Sequence, residues 1–195
     1  MLPLLPLLLL GCPTGPDGGP RGQVEVRLLG QPSPSTPPPC PWRAQAIAWT
    51  DAPGEDRLPD SLVLSWDECG PQPAVAVLGS ASTVVLRNTG SAELRLSWKG
   101  AGEGEASLSP GLERRLVLGG GRVLQIEDGT RSAAVVVAAQ GRPLDADGAA
   151  TMASVPAGER TIGLTRVDGQ TQTVRVQVPA ASTAVVDFQA DGRAD

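Results

Sequence analysis

Short segments in which apolar and polar residues alternate are the feature that most limits how this chain can fold. In residues 24–28, three apolar side chains alternate with Glu25 and Arg27, which is the period-two pattern of a half-buried β-strand. Similar segments recur along the chain, and turn-forming glycine, proline, asparagine and aspartate separate them. No segment has a convincing helical stripe. The spacing therefore predicts an all-β fold built from β-sandwiches.

The predicted strands fall into two groups, with a change of pattern near Gly141. Asp168-Gly169 stands between two strands of the second group in a position typical of a hairpin turn. The strands are expected at residues 24–28, 61–66, 74–78, 83–87, 93–98, 114–118, 122–126, 133–138, 151–155, 161–167, 171–178 and 183–188.

The first twelve residues form an apolar run that ends in Leu-Leu-Gly-Cys at Cys12. The run is too short to cross a bilayer, which takes about 20 residues, but it fits the apolar region of a secretory signal. It resembles a bacterial lipoprotein signal, cut before Cys12 so that this cysteine carries lipid. The resemblance implies an anchored protein of the cell envelope, at the outer membrane, periplasmic or surface-exposed. The alternative is an ordinary signal peptide with a chance cysteine.

Cysteine usage agrees with an exported protein. The chain has three cysteines, and an odd number in an exported protein needs an explanation. If Cys12 is lipidated, Cys40 and Cys69 form an even pair in an oxidising compartment. A disulfide between them would close a loop of about 30 residues, worth roughly 3–4 kcal/mol. Two buried free thiols are the alternative.

Composition excludes several kinds of chemistry. The chain contains no histidine, which removes Ser-His-Asp and Cys-His nucleophile systems and histidine-based metal sites. A Ser–Lys dyad would have to use the one lysine, Lys99. The net charge of −5 and the isoelectric point near 4.8 disfavour nucleic-acid binding. An enzyme would need a carboxylate pair such as Glu103 and Glu105, which are expected in a glycine-rich loop. We therefore expect no catalytic residues, no metal site and no cofactor.

Three segments carry a further resemblance. Residues 69–77 and 79–89 form a predicted strand pair ending at Asn88-Thr89, Leu108-Ser-Pro-Gly111 forms a turn, and Asp145-Ala-Asp-Gly148 precedes Val155-Pro-Ala-Gly158. In this order they resemble a plastocyanin-like (cupredoxin) domain followed by a carboxypeptidase-regulatory-like β domain. The resemblance implies a cupredoxin-like β-sandwich and a small C-terminal β-sandwich.

The copper ligands of that family are missing. Where the resemblance would place the first histidine the chain reads Ser91-Ala-Glu-Leu-Arg95, and where it would place Cys-x-x-His it reads Ile126-Glu-Asp-Gly-Thr-Arg131. A cupredoxin-like domain with this sequence therefore cannot carry out type 1 copper electron transfer.

Together these patterns divide the chain into five parts. We expect a lipoprotein signal peptide over residues 1–11, a flexible tether over 12–22, the cupredoxin-like sandwich over 23–139, the carboxypeptidase-regulatory-like domain over 140–190 and a tail over 191–195.

The candidate interaction surface is the end of the sandwich where the copper loop of the resembled family would lie. Glu127, Asp128 and Arg131 are expected there as a recognition surface, with Trp98 as a further contact. Residues 113–115, Glu-Arg-Arg, are either a contact patch or a solvated strand edge.

These observations predict a non-catalytic envelope lipoprotein, a binding or structural module accessory to a larger assembly. The expected partners are the lipid membrane, through Cys12, and an envelope protein, and no nucleic acid. The alternative is a carbohydrate- or cell-wall-binding module, in which Trp42 and Trp98 would be the platforms for a glycan.

Overall fold

The computed structural model describes residues 19–30, 40, 43–54, 58–79 and 83–190. Within these ranges the chain forms sixteen β-strands and no helix, which confirms the all-β prediction. The strands are β1 (Arg21–Leu29), β2 (Ala46–Thr50), β3 (Ser61–Asp67), β4 (Gly70–Gln72), β5 (Val75–Leu78), β6 (Thr83–Asn88), β7 (Leu94–Gly100), β8 (Gly104–Leu108), β9 (Glu113–Val117), β10 (Val123–Glu127), β11 (Ser132–Val137), β12 (Gln140–Pro143), β13 (Ala149–Pro156), β14 (Gly158–Arg166), β15 (Thr171–Val178) and β16 (Thr183–Gln189).

The central part of the chain forms a two-sheet sandwich. A four-stranded sheet of order β4-β3-β6-β9 packs against a five-stranded sheet of order β5-β11-β10-β7-β8. Because side chains alternate across a strand, every second residue of each strand enters the shared core. Leu64, Trp66 and Leu86 enter it from the first sheet, and Leu124 and Ile126 from the second.

The two ends of the chain form a second sandwich together. Its sheets have the orders β13-β1-β16 and β12-β2-β14-β15. Val24, Val26 and Leu28 of β1 pack with Met152 and Phe188 in its core. In this sandwich β1 runs parallel to β16, and Gln23 lies opposite Thr183.

The position of β1 and β2 differs from the predicted domain division. The sequence places residues 23–139 in one domain, yet within the described residues β1 and β2 pair only with strands formed by residues 140–190. In addition, β1 begins at Arg21, inside the predicted tether. The period-two pattern identifies a strand but not its partner, since pairing depends on matching apolar faces far apart in the chain. The signal segment, Cys12 and the predicted tail lie outside the described residues.

Strand β2 joins the two sandwiches because both of its faces are buried. Ala46 and Ala48 enter the core of the second sandwich. Ile47 and Trp49 instead contact a separate apolar layer, to which β5 and β11 contribute Val75, Ala134 and Val136. The four sheets are thus stacked, with three apolar layers between them.

The Trp49 indole is the largest side chain in this middle layer, and it is only 1 % exposed. Its Nε1 donates a hydrogen bond of 2.9 Å to Thr165 Oγ1. The guanidinium of Arg122 lies 4.4 Å from its ring centroid in a cation–π contact. The same guanidinium forms two hydrogen bonds of 2.6 and 2.7 Å with the Asp51 carboxylate, which raise the pKa of Arg122.

Gly163 of β14 provides the space for this ring. A Cβ atom at Gly163 would lie 2.2 Å from two atoms of the Trp49 indole. The ring therefore rests on the backbone of β14, which a side chain at this position would prevent.

Cys40 and Cys69 form a disulfide, as the cysteine count predicts. The bond joins the chain before β2 to the turn between β3 and β4. It therefore ties the segment that enters the second sandwich to the first sandwich.

We predict that Gly163→Ala lowers the free energy of unfolding by about 1–3 kcal/mol, since the added methyl group overpacks the layer around Trp49. Gly102→Ala is the matched control, because a Cβ there meets nothing within 4 Å. Urea denaturation of both variants measures the difference, and equal stability would show that Gly163 is not needed for the seating of the indole.

We also predict that replacing both Cys40 and Cys69 by serine lowers the free energy of unfolding by roughly 3–4 kcal/mol, because the bond constrains the unfolded chain. The bond spans 29 positions. Denaturation of the wild type under oxidising and reducing conditions, beside the double variant, measures this. A reduced wild type as stable as the oxidised one would contradict the prediction.

Candidate functional site

The second sandwich covers only part of the outer face of the five-stranded sheet. Strands β7 and β8 remain uncovered there, and their outward side chains, with Glu127 at the end of β10, line a cleft of about 610 Å³. One cross-strand row consists of Glu127, Ser97 and Glu105. Arg95 and Ser107 form the neighbouring row. Since all five are polar, the cleft presents charges and hydroxyl groups on a rigid sheet.

The turn that follows β10 borders this cleft and is organised by Asp128. Asp128 Oδ1 accepts hydrogen bonds from the backbone N–H groups of Thr130 and Arg131, at 2.9 and 2.7 Å, and from Thr130 Oγ1 at 2.8 Å. Its Oδ2 accepts from Trp66 Nε1 and Arg131 Nε, both at 2.9 Å. Five donors thus hold one carboxylate, whose side chain is 6 % exposed.

The environment of Asp128 favours its ionised form. Burial alone would raise the pKa of this carboxyl, but the hydrogen bonds from Thr130, Trp66 and Arg131 outweigh that effect and lower the pKa from 3.8 to about 2. At neutral pH the carboxylate is therefore a stable anchor for the turn.

Arg131 connects this turn to the turn between β3 and β4. Its Nη1 donates to the carbonyl oxygens of Glu68, at 2.6 Å, and Asp67, at 3.2 Å. Gly70 makes room for the side chain, because a Cβ there would lie 2.9 Å from Arg131 Cδ. The guanidinium therefore supports the fold, while 37 % of the side chain stays exposed.

The β3–β4 turn is fixed from other sides as well. Arg43 Nη1 donates to Pro71 O at 2.6 Å, and the Asp67 carboxylate accepts from the Cys69 backbone N–H at 2.7 Å. Two further donors come from Ser91, whose backbone N–H and hydroxyl reach Glu68 Oε1 at 2.8 and 2.9 Å. Together with the backbone N–H of Glu68 itself, they lower the pKa of that carboxyl.

The structure brings together three of the four residues predicted for the interaction surface. Glu127, Asp128 and Arg131 lie along one turn at the end of the first sandwich, and the segment 93–95 lies beside them. Asp128 and Arg131 hold that turn in place, so Glu127 is the member whose charge faces the cleft.

Trp98 lies on the other face of the sheet. It is opposite Ile126 in the β7–β10 pair and packs against the core of the first sandwich. A Cβ at Gly104 would lie 2.7 Å from its ring, so the indole rests on that glycine. The ring is therefore not a platform beside Glu127. Trp42, the other platform in the glycan-binding alternative, lies outside the described residues.

The sequence reasoning missed Arg95, Ser97 and Glu105 as partners of Glu127. It also placed Glu105 in a loop, whereas β8 covers Gly104–Leu108. The alternation of Glu105, Ala106 and Ser107 before Leu108 was a signal that could have predicted this strand. Nothing in the sequence signals the bond between Trp66 and Asp128, which are 62 positions apart.

Within the described ranges, no group of three or more histidine, cysteine, aspartate or glutamate residues is placed to hold a metal ion. The same ranges contain no helix long and apolar enough to cross a membrane. The chain matches no protein-family model, and no curated protein matches it in sequence. The cupredoxin and carboxypeptidase-regulatory-like resemblances therefore stay predictions.

We predict that Asp128→Asn lowers the free energy of unfolding at pH 7 by about 1–2 kcal/mol, with solvent screening taken into account. A carboxyl with a pKa below its ordinary value stabilises the fold above about pH 4, and this contribution is lost as the pH falls toward 2. The stability curves of variant and wild type should thus approach each other between pH 4 and 2. Urea denaturation at several pH values measures this, and a constant difference would contradict it.

Proposed function

We propose that the protein is a non-catalytic lipoprotein of the bacterial cell envelope, a binding or structural module accessory to a larger assembly. Its anchor is lipid on Cys12, and its recognition surface is the uncovered end of the first sandwich. The partner is an envelope protein.

The cysteines support a location in the cell envelope. The disulfide accounts for Cys40 and Cys69, so Cys12 is left as the one cysteine of the sequence outside that bond. Stable disulfides are typical of exported proteins. A cysteine that ends an apolar leader and does not pair is what a lipid attachment site requires.

The observation that carries the recognition role is the way in which Asp128 fixes the turn beside the cleft. Its five hydrogen bonds, with those of Arg131, leave the turn little freedom. Glu127 and Arg95 are therefore presented from a preorganised surface, which lowers the entropic cost of binding. The Arg95 side chain is 85 % exposed, and its ion pair with the exposed Glu93, at 3.5 Å, is weak because solvent screens it, so Arg95 can exchange that partner for one on another protein.

A pull-down from native envelope tests the recognition role. We predict that Arg95→Ala and Glu127→Ala together reduce recovery of the partner at least tenfold without unfolding the protein, since both side chains are on the surface. Arg175→Ala with Glu159→Ala is the matched control, because it removes the same two kinds of charge from an exposed ion pair on the second sandwich. Equal recovery with both double variants would contradict the proposed surface.

The anchor is tested separately. We predict that the mature protein begins at Cys12 and that its mass exceeds the sum of its residues by that of the attached lipid. Intact-mass spectrometry measures this, and Cys12→Ser should release the protein from membranes. A mature chain without lipid would remove the anchor but leave the recognition surface to be judged by the pull-down.

A further inference from the structure

Among the strands that the structure describes, β9 is an open edge of the four-stranded sheet. There β9 pairs with β6 alone, and four of its five residues are exposed, Leu116 being the buried one. This places residues 113–115 on a strand edge, which was one of the two interpretations that the sequence left open.

The backbone of β9 has hydrogen-bonding groups directed away from the sheet. The backbone N–H of Asn88, in β6, donates to Leu112 O at 3.0 Å. In an antiparallel pair the residues that bond the neighbour alternate with those that do not. Leu112, Arg114 and Leu116 therefore direct their backbone groups toward β6. Glu113, Arg115 and Val117 direct theirs outward, where a further strand could pair with them.

Exposed apolar side chains lie near this edge, on the outer face of the sheet. Val117 is 75 % exposed and Val63 is 43 % exposed. Val63 lies opposite the partly buried Val85, which in turn lies opposite Arg115 of β9. A segment added beside β9 would thus find an apolar contact at Val117 and a cation at Arg115.

The edge is cationic in an acidic protein. Glu113 is matched by Arg87, whose Nε is 2.6 Å from its carboxylate. Within the described part of the chain, neither Arg114 nor Arg115 has a carboxylate partner, although the whole chain has a net charge of −5. Antiparallel pairing of two copies of β9 centred on Arg114 or on Arg115 would place that arginine directly opposite its own counterpart, whereas an acidic segment could oppose both arginines with carboxylates.

We propose that β9 is a docking edge for an extended acidic segment of a partner protein, which adds a strand to the sheet. An acidic side chain of that segment lies opposite Arg115, and an apolar one lies beside Val117. Main-chain hydrogen bonds to Glu113, Arg115 and Val117 provide affinity, and the arginines select for acidic residues. This site is distinct from the surface around Glu127 and does not depend on it.

A blocked synthetic peptide of alternating glutamate and valine is the probe, with the alternating lysine and valine peptide as its charge-reversed counterpart. Each is titrated into the ¹⁵N-labelled mature chain. We expect saturable amide shifts centred on Glu113, Arg115 and Val117 with the acidic peptide alone. Arg114→Glu with Arg115→Glu should weaken its affinity at least tenfold, whereas Arg175→Glu on β15 should not change it.

A second variant separates strand addition from simple charge attraction. Val117→Pro removes an outward N–H while keeping both arginines, and proline is tolerated on an edge strand. It should also weaken binding at least tenfold. Equal affinity for the two peptides, shifts that avoid β9, or full binding by Val117→Pro would overturn the proposal. Thermal unfolding confirms that each variant is folded.

Discussion

The burial of Trp49 in the apolar layer between the two sandwiches is the constraint on which the arrangement of the four sheets depends. The indole is seated on β14, bonded to Thr165 and covered by Arg122. Because Trp49 is in the second sandwich and Arg122 in the first, the Trp49 side chain joins both sandwiches.

The alternation of side chains along β2 makes this contact possible, since Ala46 and Ala48 fill one core while Ile47 and Trp49 fill the layer between the sandwiches. A strand buried on both faces cannot shift its register by one residue without exposing apolar groups to the wrong layer.

The position of the second sandwich also determines which surface of the first remains open. The second sandwich packs over β11 and buries Ala134 and Val136 completely. It does not extend over β7 and β8. The polar cleft begins where this packing ends, and the turn around Asp128 closes it. Folding and the proposed recognition would thus use different atoms of the same turn: the carboxylate of Asp128 is occupied by the fold, whereas the charge of Glu127 faces the cleft. A partner would therefore meet a surface whose geometry is set before binding.

The sequence predicted local structure better than pairing. The all-β class and the Cys40–Cys69 disulfide are confirmed, because period-two alternation, turn residues and cysteine count are local or compositional signals. The pairing of β1 with β16 was not predictable in this way, since it joins residues such as Gln23 and Thr183 that are 160 positions apart.

The candidate site also depends on contacts between residues far apart in the sequence. The resemblance grouped Glu127, Asp128 and Arg131 because they lie in one short segment, whereas Arg95 and Glu105 come beside Glu127 only through the order of the strands. Trp98 was expected as a surface contact, but its place in the alternation of β7 directs the side chain toward the core of the first sandwich.

The most direct test of the proposed role is site-specific photo-crosslinking in living cells. A photoreactive residue replaces Glu127 in one variant and Glu159, an exposed residue of the second sandwich, in the other. If the uncovered end of the first sandwich is the recognition surface, position 127 should crosslink to one envelope protein and position 159 should not. Crosslinking of the same protein from position 159 with equal yield, or no adduct from position 127, would contradict that role.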